Sequence, residues 1–341
     1  MAKIHEVAKA AGVSISTVSY ALSGKRSISA ETRRRIEAAA HELDYRPNAG
    51  ARMLAGRRTQ IFALTEPFRA DTHAPTHMAF VLATSIAARK YEYDILLLTE
   101  EEASTGMRRV ASSGLADGAI VLDVAPDDER VAVARRIALP TVFIGVPDDH
   151  EGLVCVDLDF EAAAAMAVDR LAELGHRSIG FVGHPPTAYE RSAFPPRLRR
   201  GLEQRAADRA VACATRTPEA EGPRRTAVRE AVRELIEGGA TALVLHCDDT
   251  SHAIVLDELA VLGRRVPEDV SVVSVGAAFD TTAFASPIDT VPLVPSASCE
   301  LAVELAMRLV EGEQVPAGVR LIPPGYHEHG STAPPPRRPS G

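Results

Sequence analysis

Tryptophan is absent from the 341 residues, and the aromatic content is only 4%. The four cysteines, Cys155, Cys213, Cys247 and Cys299, stand far apart with no paired spacing. That pattern excludes a disulfide scaffold or a zinc ribbon and reads as reduced thiols in a cytoplasmic protein. No apolar run approaches the ~18 residues of a membrane helix, so no membrane partner is expected. The longest run, Ala162–Val168, is seven residues. The opening MAKIHEVAKAAGVS is polar and charged throughout, so no secretory signal is expected. Signature motifs are missing as well: no GxxxxGK[ST], no GxGxxG after a strand, no GxSxG elbow, no HExxH. What is left is an ordinary globular composition, 46% hydrophobic and 25% charged, in a chain long enough for two or three domains.

The net charge of −8 hides an asymmetry. Residues 1–58 hold 11 Lys+Arg and 5 Asp+Glu, a balance of +6, which leaves −14 for the remaining 283 residues. A small basic head on a large acidic body points to a head that meets a polyanion.

Three short helices are legible in that head. Ile4, Val7, Ala8 and Ala11 share one helical face, and Gly12 stops the first helix. Ser14 is a natural N-cap for a second helix with Val18 and Leu22 inward, ended by Ser23–Gly24. A third begins near Ser29 and turns Ile36, Ala40 and Leu43 inward. Ala8 is small where a second helix crosses it, Gly12 can take the positive φ of a tight turn, and Val18 plugs the gap. That is the spacing of a helix-turn-helix. Residues 47–56, PNAGARMLAG, form a fourth, very short helical stretch, with Pro and Asn at its start and Gly at its end. So short a helix is marginal in water and needs a partner.

The stretch 4–56 resembles the head of the LacI/GalR transcriptional regulators. The resemblance runs through V-A-x-x-A-G-V-S-x-x-T-V-S, S-x-x-T-R at 29–33 and Tyr45-Arg46-Pro47-Asn48. It continues more loosely to GSTAPPP at 330–336. It implies that Ile15, Ser16 and Tyr20 read base edges in the major groove of a pseudo-palindromic, double-stranded operator. Ser14, Thr17, Ser19, Ser29, Thr32 and Tyr45 would bind phosphates or set the docking. Tyr20 departs from the Arg or His of many relatives; it cannot grip guanine with two hydrogen bonds as Arg can. Residues 47–58 would be a hinge helix, with Asn48, Ala51 and Leu54 at the DNA and Leu54 wedged into the minor groove.

Beyond Gln60, apolar runs alternate with amphipathic helical stretches. The runs are 60–64, 94–98, 119–123, 141–145, 178–182, 242–246, 271–275 and 288–291. This is βαβ alternation, which predicts an α/β body of two doubly wound parallel-sheet lobes. The expected division is a helix-turn-helix domain at 1–46, a hinge at 47–58 and a body at 59–330. Lobe 1 would take 59–157 and 287–318, lobe 2 158–286 and 319–330, and 331–341, STAPPPRRPSG, would be a disordered tail. The resemblance makes this body a periplasmic-binding-protein-like effector and dimerisation domain.

Two lobes without a catalytic set suggest a ligand bound between strand C-termini. The resemblance nominates Arg197, with Arg199 as the alternative register, to grip a polar effector. Asp248 matches an acidic position at a helix start, which by itself reads equally as an N-cap. Phe160 and Phe68 could offer apolar faces. Relatives read Gly-aromatic-Asp-Asp where this chain has Ser274-Val275-Gly276-Ala277, so an acid expected at the effector is missing. His73 and His77 either line the cleft or cap the helix at Met78. His327-Glu328-His329 lacks an evident third ligand and reads as a terminal strand rather than a metal site. No cofactor, metal or enzymatic activity is expected. The expected function is a repressor, a homodimer or a higher homo-oligomer, released from its operator by a small molecule, a sugar by the family's default. A two-lobed solute-binding protein and an α/β enzyme without a DNA role are the alternatives.

Overall fold

The computed structural model describes residues 2–23, 28–45, 58–69, 73–99, 103–219 and 224–336. Nearly all of the hinge expected at 47–58, with Asn48, Ala51 and Leu54, lies outside these residues. The head folds as α1 (Ile4–Ala10), α2 (Ile15–Ser23) and α3 (Ala30–Glu42). Val7, Ala8, Ala11, Val18, Ala21, Ile36 and Ala39 form its core. Gly12 takes φ +63° at the turn, a conformation with little cost only for glycine. Leu43 is 36% exposed rather than inward, because α3 ends at Glu42 and Leu43 stands past its last turn as the C-cap.

The body begins with β1 (Ile61–Thr65), α4 (Ala74–Arg89), β2 (Asp94–Leu98), α5 (Ala103–Ser113), β3 (Gly118–Val121), α6 (Glu129–Ala134), β4 (Thr141–Ile144) and β5 (Val154–Leu158). It continues with α7 (Phe160–Glu173), β6 (Ser178–Val182), α8 (Pro186–Arg191), α9 (Phe194–Asp208), β7 (Ala212–Arg216), α10 (Arg224–Glu237), β8 (Ala242–Leu245), α11 (Asp249–Val261), β9 (Ser271–Ala277) and β10 (Asp289–Pro292). It closes with α12 (Pro295–Val310) and β11 (Gly318–Ile322). One sheet runs β11-β5-β4-β3-β1-β2 and the other β10-β9-β8-β6-β7. The ladders are parallel, so their central strands are covered on both faces; β3, β5 and β8 are buried at every position. Helix α7 starts where Asp159 accepts the Ala162 N–H at 3.0 Å, and its Ala163, Ala164, Ala167, Val168 and Leu171 stripe enters the second core. Gly201 lets α9 lie against α7; a Cβ there would stand 2.5 Å from Glu161 Cα.

Two lobe boundaries differ from the expectation. Residues 289–292 pair with β9, so the chain stays in lobe 2 until it crosses ahead of α12. Helix α12 then packs Cys299, Ala302, Val303 and Ala306 into the first core, and β11 pairs with β5, so 318–322 belongs to lobe 1. Apolar content alone cannot assign a strand to one of two equally apolar sheets. The expected disordered tail is corrected over 331–336, while 337–341 lie outside the described residues. Ser331 is 1% exposed, its hydroxyl donates to the Val272 carbonyl at 2.5 Å, and Ala333 is bonded through both its N–H and its carbonyl to Ser271. The organiser is Asp289, buried in β10. It accepts from Tyr326 Oη at 2.9 Å, from the N–H groups of His329, Gly330 and Ser331, and from Thr332 Oγ1 at 2.6 Å. His327 bridges to Thr290 through backbone bonds.

Candidate functional sites: the helix-turn-helix face and the interlobe cleft

In the head, Ser14 caps α2 by accepting the Thr17 N–H at 3.1 Å. Its Oγ also lies 2.8 Å from Ser16 Oγ and 2.7 Å from Thr17 Oγ1, so three hydroxyls cluster at the exposed start of α2. Hydroxyls and N–H groups at a helix start suit phosphate oxygens. Ile15 is 51% exposed and Tyr20 38%. Ser19 is half-buried beside them. Ser29 repeats the cap at α3, accepting the Thr32 N–H at 3.2 Å with the two hydroxyl oxygens 2.8 Å apart. Tyr45 packs on the head core, and burial raises its phenol pKa.

In the body, residues just past the strand ends of both sheets face each other. Glu66 follows β1, Asp123 follows β3, His184 follows β6 and Asp248 follows β8. An inner chamber of about 100 Å³ is bounded by Glu66, His77, Asp123, Asp157, Phe160 and Phe194 among others. An outer one of about 330 Å³ is bounded by Arg69, His73, His77, Asp123, His184, Arg191, Arg224 and Asp248 among others. Polar contacts bridge the lobes. Ser192 Oγ donates to Asp123 at 2.5 Å, the Ala193 N–H to the Val124 carbonyl at 2.8 Å, and Arg197 to Asp157 at 2.6 Å, while His73 Nε2 lies 3.1 Å from Asp249.

His77 Nδ1 lies 2.6 Å from Glu66 Oε1. Burial pushes the Glu66 carboxyl up. Burial also opposes the charge on His77, but the Glu66 contact outweighs it and raises the imidazole. Donor atoms of Glu66, His77 and Asp123 lie within 4.8 Å of one another, a spacing open to a metal, but Arg69 already sits 2.7 Å from Asp123. Behind the outer chamber His246 and His252 are buried, and His184 stands half-buried at its wall. His184 and His246 meet edge-on at 4.6 Å, and His246 packs against Phe160, Phe181 and Phe194. Burial depresses His184 and His252 to about 4, and His246 well below its ordinary value. Neither ring nitrogen of His246 has a hydrogen-bond partner.

The candidates from sequence fare unevenly. Asp248 lines the outer chamber and is also the N-cap of α11, accepting the Ser251 N–H at 2.8 Å and Arg224 at 2.6 Å. Burial raises its pKa, but these partners outweigh that and hold it low. Phe160 bounds the inner chamber, stacked on Phe194 at 5.3 Å. Arg197 bounds neither chamber. Its guanidinium is spent on Asp157 and Glu161, 3.1 Å away, and lies over the Phe160 ring. Arg199 lies over Tyr189, and Phe68 stands 6.3 Å from His77 outside both linings. His73 and His77 both line the cleft. Glu66, Arg69, Asp123, His184 and Arg224 were missed. Each is a lone polar residue in a loop or at a helix start with no motif, and only the rule that ligands gather at strand C-termini could have found those beside the strands.

Residues 3–48 match the description "Bacterial regulatory proteins, lacI family", and residues 168–332 match "Periplasmic binding protein-like domain". The head is thus similar to the lacI-family regulators and the second lobe to the periplasmic binding proteins. Among curated relatives, this chain is 31% identical to the HTH-type transcriptional regulator AglR of Rhizobium meliloti (strain 1021) over 61% of itself and 58% of AglR. It is 25% identical to the HTH-type transcriptional regulator MalR of Staphylococcus xylosus over 97% of itself and 98% of MalR. The chain thus spans little more than half of the first relatives it matches, 58% of AglR and 55% of the catabolite control protein A of Staphylococcus xylosus. In fold it resembles the lac repressor dimer bound to operator and the anti-inducer ONPF, with TM-score 0.81 and 22% identity over 97% of this chain and 99% of that one. A complex of the regulator CelR with cellobiose follows at TM-score 0.66 and 22% identity, over 97% and 100%. No helix among the described residues is long and apolar enough to cross a membrane.

Proposed function

We propose that this chain is a cytoplasmic, sequence-specific DNA-binding regulator, a repressor whose hold on its operator is set by a small molecule in the interlobe cleft. The observation that carries the reading is the exposed start of α2, where Ser14, Ser16 and Thr17 cluster next to an outward Ile15 and Tyr20. The hydroxyls suit phosphate positioning and the two larger side chains suit base reading, with Ser19, Ser29, Thr32 and Tyr45 steadying the dock. Asn48, Ala51 and Leu54 belong to the same proposal as the hinge contact in the minor groove.

In the cleft, Asp248 and Phe160 are the ligand-facing residues of this reading. Arg197 acts through the Asp157 and Phe160 that it fixes. The ligands in the lac repressor and CelR complexes make a carbohydrate the first class to test. A homodimer fits an outward stripe on α4, where Met78, Leu82 and Ile86 are 39%, 58% and 59% exposed at successive turns. A symmetric dimer places two heads on two half-sites. Selection of bound duplexes from a random pool tests the proposal. Enrichment of an inverted repeat is expected; recovery of unrelated sequences would overturn it.

A further inference from the structure

Three donors from three elements converge at the strand ends of lobe 1. Glu66 follows β1, His77 lies in the first turn of α4 and Asp123 follows β3. One ligand atom of each stands within 4.8 Å of the other two, the only such group of three among the described residues. Two bonds of about 2.1 Å to one ion span up to about 4.2 Å, so a small side-chain rotation closes the set. All three residues bound the inner chamber, and His77 and Asp123 bound the outer one as well, so the cleft gives access to them. Arg130, 2% exposed, donates to the Asp123 carbonyl at 2.8 Å and to Thr65 Oγ1 at 3.0 Å, while Asp128 holds its guanidinium at 2.6 Å. The two strand ends that carry the carboxylates are thus fixed to one buried side chain, the kind of support that orients metal ligands. Glu66 is 1% exposed, and a buried carboxylate beside a second one needs positive charge close by.

We propose that Glu66, His77 and Asp123 form a divalent-cation site in the wall of the cleft, of the class that takes zinc or manganese. Two carboxylates and an imidazole match these ions in charge and in ligand type, whereas calcium prefers about six to eight oxygens. The ion takes the place of the hydrogen between His77 Nδ1 and Glu66 Oε1, which stand 2.6 Å apart. Three protein ligands leave positions open toward the chambers, where water or the oxygens of a cleft ligand complete the shell. Ser192 Oγ of lobe 2 lies 2.5 Å from Asp123, so an ion on that carboxylate bears directly on the contact between the lobes. Arg69, 2.7 Å from Asp123, competes with the ion for the same carboxylate. Replacing Arg69 should therefore act with the opposite sign to the loss of a ligand. The inference goes beyond the regulator reading and needs neither operator nor sugar.

The test is calorimetric titration of the metal-stripped full chain at constant ionic strength with zinc chloride, manganese chloride and calcium chloride. Manganese should bind at micromolar concentration, zinc more tightly and calcium more weakly than either. His77→Gln and Glu66→Gln should each weaken zinc and manganese by about tenfold or more. Arg69→Gln should tighten both ions several-fold. Melting of each variant without metal reports whether it folds, and Arg69→Gln decides if neither ligand variant does. No binding of zinc or manganese, calcium tighter than manganese, affinities unmoved by both ligand variants, or weaker binding in Arg69→Gln would each overturn the proposal. Binding of the wild-type chain to its selected duplex is measured in parallel. If the duplex binds and neither ion does, the cation site falls alone; if the ions bind and the duplex does not, the regulator reading falls alone.

Discussion

Mild acid should destabilise this fold through the imidazoles behind the cleft. His246 and His252 are 2% and 0% exposed, and His184 sits edge-on against His246. His184 and His252 hold pKa values of about 4 against an ordinary 6.5, because burial disfavours their charged forms. The unfolded chain therefore takes up protons near 6.5 that the folded chain refuses until about 4. Stability is full above the unfolded pKa and falls as pH drops below it. Between about pH 7.5 and about pH 5.5 His184 and His252 each lose ~1.3 kcal/mol, and His246 loses stability in the same direction. His77, Glu66 and Asp157 oppose this, since their raised pKa values add stability on acidification. The wild type and a His246→Leu variant share those three groups, so the part that His246 plays is read as the difference between them. Urea unfolding of both across the range provides the assay. His246→Leu should lose less stability than the wild type on acidification, and should stabilise the protein above neutrality by sparing two unpartnered ring nitrogens. The same pH dependence in both proteins would refute the reasoning.

Asp289→Ala strands three N–H groups of the 326–332 segment and should cost about 3 kcal/mol or more, read as a lowered Tm with early hydrogen exchange at His329–Ser331. Leu82→Arg with Ile86→Arg should leave the fold intact and shift the species to a monomer in analytical ultracentrifugation; an unchanged dimer would move the interface elsewhere. Tyr20→Arg should change the selected bases at one symmetric pair of positions, whereas Thr17→Ala should weaken every duplex alike. Uniform weakening by both would make Tyr20 a positioning residue.

The head was the most legible part of the sequence because its constraints are local. Ala8, Gly12 and Val18 act within one turn and its flanking helices, and each stands where their sizes and backbone freedom require. The central strands were legible as continuous apolar runs. The edge strand β7 was not: ACATR is half-exposed and has no such run. Helix α9 was hidden by Pro195 and Pro196, which the first turn of a helix tolerates, and by an arginine-rich surface. The crossovers at 292–295 and 322–326 could not be read, because both sheets present the same apolar composition. The cleft was illegible for another reason. Glu66, Asp123 and His184 meet only when two sheets place their strand ends face to face, and no spacing in the chain records that.

The salt dependence of binding to the selected duplex tests the central claim most directly. If two heads neutralise many phosphates, log K should fall with log salt by ~0.9 per phosphate, which costs roughly a thousandfold or more in affinity between about 50 and 200 mM. Ser14→Ala and Thr17→Ala in the same titration should each make the curve weaker at every salt concentration. A shallow slope, or affinity unmoved by both substitutions, would contradict a DNA-binding role for the exposed face of α2.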